Sequence, residues 1–98
     1  MKGEFSIMPP SPLYKTHRET GLVRHEVFFG TANRKKSIEL GLVVFLTPKM
    51  HNMSNEGVHF NREFDLKLKR IGQEVAMKYY NWSINDFIDE FGKNYLEV

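Results

Sequence analysis

The run Leu42-Val43-Val44-Phe45-Leu46 is apolar without a break and is bracketed by Gly41 and by Thr47-Pro48. A short apolar run between turn signals, rich in β-branched and aromatic side chains, predicts a strand buried in a core. A partner lies upstream. Leu22 to Phe29 (LVRHEVFF) carries the same composition and stops at Gly30. Two strands alone are marginal in water, so other elements must complete the core. The chain has 98 residues, room for one domain that buries roughly 60–65% of its unfolded surface. It is 41% hydrophobic and 27% charged, as an ordinary globular chain is. The apolar run is far too short to span a membrane, and the N-terminus lacks the apolar stretch of a signal peptide. A cytoplasmic setting with no membrane partner is therefore expected. Cysteine is absent, which excludes a disulfide framework and a thiolate zinc site.

Met8-Pro9-Pro10-Ser11-Pro12 forbids helix, so residues 1–12 are expected to form a flexible, extended tail. Residues 13–98 then form a single domain. Leu13-Tyr14 can open a short strand. Thr31 to Lys36 reads as a polar, basic loop, followed by a helical turn over Ser37 to Leu40 that Gly41 ends. After the apolar strand, Thr47 fits an N-cap and Pro48 a first helical position, which predicts a short helix containing His51. Arg62 to Tyr80 is the longest helical pattern, with Phe64, Leu68, Ile71, Val75 and Tyr79 on one face. A last helix spans Ser83 to Phe91. Ser83 and Asp86 match a capping box, and Ile84, Phe87, Ile88 and Phe91 form its apolar stripe. Tyr79 to Trp82, Met50 and Met53 read as packing residues, as do Phe28, Phe29 and Phe60. The fold class is α+β, with two C-terminal helices supplying most of the core.

Charge is uneven. Residues 1–50 hold eight basic and four acidic side chains, and residues 51–98 hold six and eight. A basic first half suits a polyanion. All four histidines, His17, His25, His51 and His59, lie in the first two thirds of the chain. The predicted hairpin brings His25 on the first strand toward His51 in the following helix. Asn55 stands one turn beyond His51, and His59 follows. Imidazole nitrogens with amide or carboxylate oxygens suit zinc, manganese or magnesium.

The run from Arg24-His25-Glu26 through Gly30, Asn33-Arg34-Lys35-Lys36-Ser37, Gly41 to Asn52, and Gly57-Val58-His59 resembles the HNH, or ββα-metal (His-Me finger), endonucleases. More narrowly, it is similar to small phage-type proteins related to the RecA-dependent, recombination-enhancing nucleases. The resemblance covers the middle of the chain. It implies a ββα-metal hairpin-helix core over residues 13–61, with the helices of residues 62–98 added to it.

The resemblance also implies an activity. The chain would be a metal-dependent endonuclease hydrolysing DNA phosphodiester bonds, phage- or prophage-encoded, linked to recombination and working in a bacterial host cell. One divalent ion (Mg, Mn or Zn) would be held by His25, His51, Asn55 and His59. The family's ligand-then-base pair at the end of the first strand aligns with His25 and Glu26, so the base stands between Glu26 and His59. Glutamate, with a usual pKa near 4.3, is a weaker base than imidazole. Gly41 occupies the position of the family's central Asn, and Asn33 is the residue that can tie the loop. The zinc knuckle of many relatives has no cysteine here. Arg24, Arg34, Lys35 and Lys36 would contact phosphates. DNA is the expected partner, with a recombinase filament and self-association left open. The rival reading is a scaffold without catalysis that binds nucleic acid or a recombinase.

Overall fold

A computed structural model describes residues 4–53 and 61–96. The element order is β1 (Val23–Glu26), α1 (Thr31–Leu40), β2 (Val43–Leu46), a π-helical turn (Lys49–Met53), α2 (Arg62–Tyr80) and α3 (Ile84–Phe91). The result is a small mixed α+β domain built on one antiparallel hairpin. The strands pair with His25 opposite Val44 and Glu26 opposite Val43. The apolar run forms β2 as expected, and all four of its residues are buried. On its other edge Phe45 exchanges two backbone hydrogen bonds with Lys15.

The segment read as a basic loop is helical instead. Thr31 to Leu40 forms one continuous helix, although its sequence has no apolar stripe. What holds it is polar. Ser37 is its one fully buried residue, and its hydroxyl both accepts from Phe28 N (3.1 Å) and donates to Phe28 O (2.8 Å). A strand neighbour would otherwise meet these two groups. Lys36 Nζ donates to Glu90 O (2.5 Å) and Asn33 Nδ2 to Phe91 O (3.4 Å), so α1 satisfies carbonyls at the C-terminus of α3. Gly41 ends α1 at φ 77°, and a Cβ there would lie 2.7 Å from Phe5 Cε2.

That contact shows where the N-terminal segment goes. Its prolines keep it extended, yet residues 4–12 lie against the domain rather than projecting from it. Ile7 N donates to Gly41 O (2.8 Å), Ser6 Oγ donates to Val43 O (2.7 Å), and Met8 is buried. Tyr14 is also buried, with its hydroxyl donating to Pro9 O.

Phe28 is the centre of the core. Its ring packs on Phe91 (4.6 Å between centroids), Phe87 (5.2 Å) and Tyr95 (5.4 Å). A Cβ on Gly72 of α2 would come within 3.1 Å of both Phe28 and Val27. Gly72 is therefore a seat for the end of β1. This turns the inward face of α2 to Leu68, Gly72, Gln73 and Ala76, and leaves Tyr79 60% exposed. Of the apolar stripe read from the sequence, Leu68 is buried and Phe64, Ile71 and Val75 pack against the core, so only Tyr79 departs from it. Gln73, fully buried, fastens the C-terminal segment: Tyr95 N donates to its Oε1 (2.7 Å) and its Nε2 donates to Asn94 Oδ1 (2.8 Å). In α3 the Ser83–Asp86 capping box forms as predicted, and Phe87 and Phe91 are buried while Ile84 is exposed. No helix among the described residues is long and apolar enough to cross a membrane.

Two outcomes follow from this packing. Ser37→Ala leaves Phe28 N–H and C=O without their hydroxyl, and should cost about 1–3 kcal/mol in denaturant unfolding. Burial pushes the Tyr14 hydroxyl up to about 12. The unfolded chain ionises this group near pH 10, so its contribution is whole below that pH and is lost as pH rises toward 12. Tyr14→Phe should flatten the alkaline fall in stability over that window.

Candidate functional site

Strand alternation decides which side chains near the end of β1 can meet. His25 faces inward, opposite Val44, and is 1% exposed. Glu26, the next residue, faces the opposite side of the hairpin. There its carboxylate lies between two arginines, Oε2 at 2.9 Å from Arg24 Nε and Oε1 at 3.3 Å from Arg34 Nε.

His51 reaches His25 from the other end of β2. Thr47 caps the π-helical turn through Met50 N to Oγ1 (3.2 Å), and His51 N bonds Thr47 O (2.9 Å). The His25 and His51 rings meet edge to face, with centroids 5.2 Å apart and planes at 71°. Two imidazoles on one tetrahedral ion, with metal–nitrogen bonds near 2.1 Å, place their centroids about 5 Å apart. The centroid spacing is that of two imidazoles on one ion and equally that of two packed rings. The donors of the pair are borderline nitrogens that suit zinc or manganese.

Other expected site residues are distributed as follows. Asn55 and His59 lie outside the described residues, as do Gly57 and Phe60. His17 is exposed at the surface beside Glu19 (3.0 Å). Among the described residues no three His, Cys, Asp or Glu side chains gather around an ion-sized gap. Of the four basic residues, Arg24 and Arg34 hold Glu26, Lys36 is engaged by Glu90 O, and Lys35 is exposed on α1.

Phe29, read from the sequence as a packing residue, flanks the pair, and against it stands Lys69, which that reading passed over. Phe29 packs on His25 (5.7 Å between centroids), and Lys69 Nζ lies 4.0 Å above the Phe29 ring. Lys69 is fixed by Asp65 (2.8 Å), one turn earlier on α2; their side chains are 12% and 13% exposed. Asp65 Oδ1 is buried and has no hydrogen-bond partner among the described residues. Tyr95 shares this corner, its hydroxyl pushed up from its usual value first by burial and then by the Asp65 charge. The i,i+4 spacing of Asp65 and Lys69 was visible in the sequence as a helix-surface pair. Their burial beneath Phe29 was not.

Comparison with protein-family models, with curated proteins and with solved structures returns no match. The site therefore stands on its own geometry. Lys69→Met leaves the Asp65 carboxylate buried without its counter-ion, and should cost about 2–4 kcal/mol in chemical denaturation. Replacing Asp65 by Leu in the same chain should recover part of that loss.

Proposed function

We propose that this protein is a metal-dependent endonuclease of the ββα-metal type, hydrolysing phosphodiester bonds in DNA. The observation that carries the reading is the meeting of His25 and His51, 5.2 Å apart, from the first strand and from the helical turn after the second. The HNH resemblance implies two strands followed by a helix; here α1 stands between the strands, and the described residues directly after β2 form a π-helical turn. His25 and His51 supply two ligands in this reading, and Asn55 and His59 complete the set. A divalent ion held there would supply charge stabilisation for the leaving oxygen and a more acidic attacking water. Glu26 faces away from the imidazoles and is held by two guanidinium groups, which favours His59 over Glu26 as the base. Arg34 and Lys35, exposed on α1, are suited to neighbouring phosphates. A phage or prophage origin, a role in DNA recombination and a recombinase filament as partner belong to the same proposal.

A second reading rests on the engagement of Glu26 by Arg24 and Arg34. It makes the chain a nucleic-acid-binding scaffold without catalysis. Plasmid nicking separates the two. The purified chain should nick supercoiled DNA with magnesium, manganese or zinc and should lose that activity to a chelator. His51 is the residue to change, because it is only partly buried whereas His25 is at the core. His51→Ala should lower nicking by about 100-fold or more with an unchanged circular dichroism spectrum. Nicking that survives the change sinks the endonuclease assignment. DNA binding without metal uptake or nicking by the parent chain establishes the second reading.

A further inference from the structure

The second feature of the β1 end is the cluster on its outer side. Glu26 is 13% exposed and engages both arginines at once, Arg24 through Oε2 and Arg34 through Oε1. Arg24 comes from the same strand and Arg34 from α1, so the carboxylate ties two different elements to one point. Arg34 is nevertheless 63% exposed. A guanidinium has five N–H donors, and a contact through Nε uses one. Lys35 stands exposed beside Arg34 on the same helix. Two cations and one anion leave this cluster net positive.

We infer that Glu26 is a positioning residue: it holds Arg24 and Arg34 as a preorganised clamp for a nucleic-acid phosphate. A guanidinium held by a carboxylate loses little side-chain entropy on meeting an anion, and its planar fork matches phosphate oxygens. Glu26 thus assists polyanion binding although its own charge opposes it. The inference rests on the reading above that the chain binds DNA, and it assigns to Glu26 a task separate from proton transfer.

The opposed signs make it testable. By charge alone, Glu26→Gln makes the protein more positive and tightens its hold on DNA. A clamp loses its order instead, because the amide offers one acceptor oxygen for two guanidinium groups. The experiment measures binding of a fluorescent DNA duplex by anisotropy between about 50 and 200 mM salt. Glu26→Gln should bind more weakly than the parent, and its log–log salt slope should fall by about one. Arg34→Ala, at an exposed position, should lower the slope by about one as well, with thermal melts verifying that both variants are folded. Equal or tighter binding by a folded Glu26→Gln overturns the clamp while leaving DNA binding intact. A wild-type slope in Arg34→Ala overturns it too, and decides the matter where Glu26→Gln fails to fold. A parent chain that does not bind the duplex removes both this inference and the DNA reading.

Discussion

Phe28 is the joint on which the molecule turns, and both its backbone and its ring are committed. β1 ends two residues earlier, so the buried N–H and C=O of Phe28 need partners that no strand provides. The Ser37 hydroxyl supplies both. The ring meanwhile lies among Phe87, Phe91 and Tyr95 and faces Gly72. Burying such a ring contributes about 2–3 kcal/mol, and its aromatic neighbours add to this. One residue thus ties the hairpin to α1 through polar contacts and to α2 and α3 through apolar ones. Everything placed around the end of β1 inherits that rigidity, His25 on one side and Glu26 on the other.

The hairpin therefore presents two different chemistries on its two sides. The inner side brings two imidazoles together, with Phe29 packed on His25. Phe29, Lys69 and Asp65 bound that corner and place a fixed ion pair within the same cluster of side chains. The outer side gathers guanidinium groups around one carboxylate. Neighbouring positions in sequence, His25 and Glu26, are separated by the pleat. Glu26 lies between Arg24 and Arg34, on the side of the strand away from His25. This is why Glu26 is better explained by its arginines than by proton transfer.

Much of this was readable in the sequence where the pattern was strong. The apolar β2, the capping box at Ser83 and Asp86, the long helix from Arg62 and the approach of His51 to His25 all followed from composition and spacing. Only the last turn of α1, ended by Gly41, was legible, because the polar and basic residues before Ser37 show no stripe. The stripe of α2 was read correctly over Phe64, Leu68, Ile71 and Val75, but not at Tyr79, and the buried Gly72 and Gln73 beside it carried no apolar signal. The prolines identified an extended N-terminal segment, but only the packing of Met8 and the bond from Ser6 to Val43 O reveal its docking. Asp65 and Lys69 show in the sequence only as an i,i+4 spacing, which does not reveal that Lys69 lies over the Phe29 ring.

The central claim is that His25 and His51 serve one ion. The direct measurement is imidazole 15N NMR of the labelled full chain during titration with zinc alone. The account predicts one strongly bound zinc per chain, with the His25 and His51 resonances shifting together and saturating at the same point. Movement of only one of the two imidazoles, or of neither, contradicts it.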